Sequence, residues 1–236
     1  MADSILSLKE VNTYISQHHI LQGVTLDVTA GRPTVFLGRN GAGKSSTLRA
    51  IIGLNPVTSG EIHLDGLPIQ DRKPYEIARL GVGFVAEDRA VFYNLSVEEN
   101  MRLSMFEENE QTGSRLETIF ELFPDLKKLW RSNAGLLSGG QKQMLAIARA
   151  FVNDHRVLLI DEPSKGLAPI VVDQVGESLI QIKEQTTIIL VEQNFHLASL
   201  VGMDYFILDD GRVVHQGLME ELVDDQELKQ KYLGIG

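Results

Sequence analysis

The chain has 236 residues, a formal net charge of −10 and no cysteine, which suits one sizeable domain and excludes disulfides and thiolate metal sites. Its 43% hydrophobic content is ordinary for a globular protein, and its short apolar runs fall well below the roughly 20 residues that cross a bilayer. No basic run is present, so neither a nucleic-acid surface nor direct binding to anionic lipid is expected.

The N-terminus, "MADSILSLKE", lacks a basic start, a long apolar core and a cleavage site, so no secretion signal is expected. "TVFLG" (34–38) reads as a buried strand, and "GRNGAGKSS" (38–46) follows it and opens a helix, "KSSTLRAIIG". From about 87 to 155 the texture is helical, with no convincing strand. Within it "SRLETIFELFP" places Leu116, Ile119, Phe120 and Phe123 at helical spacing. Ser114 and Glu117 are spaced as a capping box there, and Pro124 marks the stop. "LSGGQKQMLAIARA" (137–150) starts an amphipathic helix expected to run to about Asn153, roughly 24 Å at 1.5 Å per residue. Then come three strands: "VLLID" (157–161), "TTIILV" (186–191) and "YFILD" (205–209). Asp210-Gly211 is a hairpin turn into "RVVHQG", which predicts an antiparallel edge near the C-terminus. The acidic runs at 107–110 and 219–227 read as solvated faces.

Strand, glycine turn and helix around GxxxxGK[ST] define a phosphate-binding P-loop. Gly38, Gly41 and Gly43, with Asn40 and Ala42 between them, let the backbone wrap close to phosphate oxygens. The helix dipole adds partial positive charge at the same place. Lys44 is placed to reach the β- and γ-phosphates, Ser45 to ligate Mg²⁺, and Ser46 extends the cradle. A second, acidic strand end supports this reading: Asp161 suits the Mg²⁺ water shell, and Glu162 suits the water that attacks the γ-phosphate. Ser138, Gly139, Gly140 and Gln141 offer another helix N-terminus to an anion. A helix that long would carry them away from the chain's own P-loop, which points to a nucleotide held by another subunit.

These motifs, in this order and over nearly the whole chain, resemble the ATP-binding cassette family. The resemblance implies an α/β, RecA-like P-loop NTPase with an antiparallel β edge and a helical insertion. It divides one nucleotide-binding domain, 1–236, into a sheet core at 1–86 and 156–236 and a helical subdomain at 87–155. The ligands implied are ATP and Mg²⁺. The family's head-to-tail dimer would have Ser138, Gly139, Gly140 and Gln141 act in trans on a second cassette's ATP. "GFVAEDRAVFYNLSVEENM", "EPSKGLAPIVV", "LVEQN" and "YLGIG" are similar to the smaller ATPase of branched-chain amino acid, amide and urea importers. That branch implies a second cassette, two transmembrane permeases, an indirect link to a binding protein outside the cell, and a place on the cytoplasmic face of the membrane.

Several positions depart from the family's pattern. Glu87 stands where a Mg²⁺-sensing Gln is usual and so joins Ser45 and Asp161 as a metal candidate; Ala86 precedes it in place of Pro. Ala168 replaces an Asp that crosses the dimer. Gln193 occupies the place of a His that contacts the γ-phosphate; it can donate a hydrogen bond but cannot become an imidazolium. Ile15 aligns with the adenine-stacking position, and Tyr14 beside it could equally be the stacker or a plain strand residue. No histidine is expected to be catalytic: His196 reads as a helix residue, and His18 and His19 would face opposite sides of a strand. Together the departures imply that one of two composite sites turns over more slowly. A soluble cassette acting on the ribosome or DNA is the competing class; it would be expected to carry two cassettes, a coiled-coil insertion or a basic surface. A kinase or GTPase would leave the "LSGGQ" helix unexplained.

Overall fold

A computed structural model describes residues 4–235. The first three residues of the N-terminal stretch and Gly236 of "YLGIG" lie outside them. The strands are β1 (Ser4–Ile15), β2 (His18–Thr29), β3 (Thr34–Leu37), β4 (Ser59–Leu64), β5 (Leu67–Pro68), β6 (Val82–Val85), β7 (Val157–Asp161), β8 (Thr187–Val191), β9 (Asp204–Asp209) and β10 (Arg212–Leu218). They form two sheets. One is antiparallel, in the order β2-β1-β4-β5; the other has six strands, in the order β10-β9-β3-β8-β7-β6. In the second, β9 to β6 are parallel and β10 runs antiparallel on the edge, through the Asp210-Gly211 turn. The C-terminal antiparallel edge is therefore as the hairpin signal predicts. Of the separate N-terminal sheet, the sequence shows only strand character around Tyr14, His18 and His19.

The central strands β3, β8 and β7 of the six-stranded sheet are buried on both faces, which explains why they read as continuous apolar runs, whereas the edge strand β10 is mostly exposed. Successive residues go to opposite sides. Val35, Leu37, Leu158, Ile160, Ile188 and Leu190 join one buried cluster, while Phe36, Val157, Leu159, Ile189 and Val191 join the other. The second cluster is closed by the antiparallel sheet, through Leu6, Leu8 and Leu26, and by Leu48 and Ile51 of α1 (Lys44–Ile51). After the short α2 (Pro74–Arg79), the first cluster is closed by the helices α3 (Val97–Arg102), α4 (Glu110–Leu122), α5 (Pro124–Lys128), α6 (Gly139–Phe151), α7 (Pro169–Ile182), α8 (Phe195–Val201) and α9 (Met219–Asp224). Between 87 and 155 the described residues hold helices and a single isolated bridge, Ser96 to Asn133. Their buried side chains, among them Met101, Phe123 and Leu145, share a cluster with Leu158 and Leu190 of the sheet.

Two helix ends differ from expectation. The "LSGGQ" helix stops at Phe151, two residues early. α4 starts at Glu110 rather than after Ser114, because a different capping box operates: Asn109 Oδ1 accepts from Thr112 N (3.0 Å) and Thr112 Oγ1 accepts from Asn109 N (3.0 Å). A threonine hydroxyl can return the bond that Glu or Gln supplies in the common form. Asn109→Ala is expected to cost about 1 kcal/mol, and the exposed Ser114→Ala under about 0.5 kcal/mol. Urea unfolding midpoints for the two variants measure the difference.

Candidate functional site

Because β3, β8 and β7 are parallel neighbours, their C-terminal ends open on the same edge of the sheet. That edge is where ligands of parallel α/β sheets bind. It receives the turn after Leu37, the carboxylates after Ile160 and the polar run after Val191.

The first turn must be glycine at its start. Gly38 has φ 140°, and a Cβ there would lie 2.2 Å from the Leu208 carbonyl oxygen of β9. The turn closes through Ala42 N to Arg39 O (3.2 Å), and Gly43, at φ 100°, occupies the N-cap of α1. Asn40 and Gly41 are exposed, while Ser45 and Ser46 are half-buried at the helix start. Lys44 folds back under this turn; its buried Nζ donates to the carbonyls of Gly38 (2.9 Å) and Arg39 (3.1 Å). Burial lowers the pKa of this ammonium, and the carboxylates of Glu162, Asp161 and Glu192 counter the effect. Carbonyls of its own loop thus hold a cation at the place where phosphate oxygens would bind.

Ser45 Oγ donates to Asp161 Oδ1 at 2.7 Å. The other oxygen, Asp161 Oδ2, is buried and has no hydrogen-bond partner. Burial raises the Asp161 pKa; the Ser45 hydroxyl opposes this, and Glu162 and Glu87 add to it. A hydroxyl and an unsatisfied buried carboxylate oxygen, side by side, suit a hard divalent cation. Glu162 follows in a left-handed conformation, φ 46°, and strained non-glycine geometry of this kind concentrates at functional sites. Its Oε1 accepts from Gln193 Nε2. Two of the residues read as catalytic are therefore in direct contact.

Glu87 does not join Ser45 and Asp161. Its Oε1 accepts from Lys165 Nζ. Ser138 to Gln141 also stand apart: Ser138 Oγ caps α6 by accepting from Gln141 N (3.2 Å), and Gln141 Nε2 donates to Asp125 Oδ2 (3.3 Å). Ser138 and Gly139 face solvent, and none of the hydrogen bonds of the Ser138 and Gln141 side chains reaches the P-loop. Tyr14 is exposed and stacks on His19, with ring centroids 4.2 Å apart and planes within 4°. His196 is exposed on the outer side of α8, and its hydrogen bond goes to Asp173 (2.8 Å) rather than to Glu162.

Sequence reasoning missed Glu192. The residue is buried, and its carboxylate accepts from the backbone N–H groups of Ser164, Gln193 and Asn194, each at 2.9 Å. Burial pushes its pKa up while those N–H bonds pull it back. Glu192 thereby ties the turn after Glu162 to the end of β8 and sets the position of Gln193. A carboxylate directly after a wholly apolar strand was the available signal. The polar cluster at the end of β8 thus divides into Glu192, which holds the backbone, Gln193, which faces Glu162, and Asn194, which caps α8.

Fold and site together define a P-loop ATPase. The family model for "ABC transporter" matches residues 21–165. The high-affinity branched-chain amino acid transport ATP-binding protein BraG of Pseudomonas aeruginosa is 36% identical, over 98% of this chain and 100% of its own length. The probable branched-chain amino acid transport ATP-binding protein LivF of Archaeoglobus fulgidus is 33% identical, over 98% and 99%. Among solved structures, CbiO1 of Clostridium perfringens, part of the ABC transporter complex CbiONQ, superposes with a TM-score of 0.82 at 29% identity, over 97% of this chain and 94% of its own. The chain belongs to the ABC transporter family. It is an ATPase subunit of such a transporter, and none of its described helices is long and apolar enough to cross a membrane.

Proposed function

We propose that this ATPase drives an importer for branched-chain amino acids or related small amides or urea. The reading is carried by the similarity, over nearly the full length of the chain, to two ATPases of branched-chain amino acid transport. A phosphate import ATPase of Corynebacterium glutamicum is 32% identical, so the substrate class rests on those two rather than on the family.

In this reading Gly38 to Ser46 wrap the triphosphate, and Lys44 leaves its carbonyls for the β- and γ-oxygens. Ser45 and Asp161 would hold Mg²⁺, which neutralises phosphate charge when bound. Glu162 takes up the proton of the attacking water, and Gln193 orients that carboxylate and donates to the γ-phosphate. Tyr14 offers the adenine a stacking face. Ser138, Gly139, Gly140 and Gln141, which make no side-chain hydrogen bond to this P-loop, grip the ATP of a second cassette, so the working unit is a dimer. ATP closes the two cassettes, and hydrolysis lets them open.

Permease subunits hold this chain at the cytoplasmic face of the membrane, in a groove of about 340 Å³ between the sheet core (1–86, 156–236) and the helical subdomain (87–155). Leu54, Phe84 and Phe106 line it from both sides, with Arg89, Ser104, Arg149, Asn153 and His155 as its polar members. Leu54 and Phe106 are each more than half exposed, as an unpartnered apolar wall would be. The test is a tagged pull-down from gently solubilised host membranes. Recovery of two many-spanning proteins and a second cassette supports the importer. Recovery of ribosomes or DNA-repair proteins from intact membranes would sink it.

A further inference from the structure

Glu87 and Glu162 are brought together by strand register. β6 and β7 are parallel neighbours, with Val82 beside Val157 and Val85 beside Ile160, so the loops after them open side by side. Two carboxylates, both near enough to Asp161 to raise its pKa, thus crowd the edge that must also admit a triphosphate. One cation lies between the two: Lys165 Nζ bonds to Glu87 Oε1 and lies 3.6 Å from Glu162 Oε2. Its position is held twice more. Lys165 N donates to Glu162 O (3.2 Å), and the Lys165 carbonyl accepts from Arg89 Nη2 (2.9 Å). Arg89 is itself locked at φ 66° and donates through Nε to Gln143 Oε1 of α6 at 2.9 Å. The loop carrying Glu87 and the loop carrying Lys165 are therefore joined through both side chain and backbone.

We propose that Lys165 is a positioning residue that makes a matched charge pair with Glu87, so that a carboxylate can occupy this place beside the phosphate site without repelling ATP. The inference rests on the assignment of the γ-phosphate to the space between Lys44 and Glu162. Glu87 is then held by Lys165 rather than given to the cation, and Ser45 with Asp161 carry the metal alone. Lys165 also restrains Glu162, the base, through Oε2, while Gln193 bonds to Oε1. Removing the lysine alone exposes Glu87 and Glu162 to each other and to the incoming phosphates. Removing the charge of both partners takes the repulsion away again. In the free protein the pair lies at the surface, with side chains 60% and 35% exposed, so it adds little to folding stability. Its effect appears when nucleotide displaces water and lowers the local dielectric.

A double-mutant cycle tests this, with the full chain, fluorescent ATP plus Mg²⁺ for equilibrium binding, and ATPase kinetics alongside. Lys165→Met is expected to weaken Mg-ATP binding about tenfold, or about 1.4 kcal/mol, and Glu87→Gln by under about threefold. The double variant should bind within about twofold of the parent, with all melting temperatures within about 3 °C. A tenfold loss from Lys165→Met that persists in the Glu87→Gln background would show that Lys165 acts on the nucleotide directly and overturn the pair. No loss from Lys165→Met would make the pair an idle surface bridge and overturn it too. A parent chain that binds no Mg-ATP would sink the nucleotide-site assignment as well, which separates the two failures.

Discussion

Replacing Glu162 by Gln is expected to slow single-turnover ATP hydrolysis by about 10²–10⁴-fold, the range lost with a general base. ATP affinity should stay within a few-fold of the parent, because the shape and the polar contacts of the side chain are kept. The expectation rests on geometry. Glu162 is nearly buried, is aimed by a left-handed backbone, accepts from Gln193 and lies near Lys165. A neutral amide in that place cannot take a proton from water. The variant should therefore hold ATP without splitting it and accumulate as the closed dimer on gel filtration with ATP. Equal single-turnover rates for variant and parent would remove Glu162 from the role of base.

Replacing Lys44 by Met is expected to weaken ATP binding by at least about 10²-fold, since each charge-assisted bond to phosphate is worth about 1.5–3 kcal/mol. Folding should change little. The variant loses two bonds to the carbonyls of Gly38 and Arg39, but it also removes an ammonium whose burial is unfavourable, as its lowered pKa records. The two effects oppose each other. Isothermal titration with ATP and a melting curve separate them: affinity should fall while the melting temperature moves by only a few degrees. A large drop in melting temperature with unchanged affinity would reverse the assignment.

The sites built from contiguous residues were the ones legible in the sequence. GxxxxGK[ST] names its own local geometry, because a strand, a glycine turn and a helix start are all encoded within some fifteen residues. "VLLIDEP" and "TIILVEQN" are similar: each ends a continuous apolar run in polar side chains, which happens where a parallel strand leaves the core. The N-terminal sheet was less legible. β1 and β2 carry polar residues at many positions and contain register shifts, so they lack the plain alternation that marks a strand. The capping box at Asn109 and Thr112 was missed because those two residues exchange bonds in an uncommon combination.

The sequence by itself determined the phosphate cradle, the acidic strand end, the signature helix and the class of fold, since each depends on neighbours a few residues apart. Tertiary structure alone decided how those pieces face one another. The parallel order β3-β8-β7-β6 puts Lys44, Asp161, Gln193 and Glu87 at one sheet edge, although they lie far apart in the chain. Only then does Gln193 meet Glu162, Glu192 gather three backbone N–H groups, and Lys165 pair with Glu87. The strength of a charge or of a buried carboxylate depends on what surrounds it in space. A one-dimensional pattern names the groups, and the packing of the sheet sets their partners.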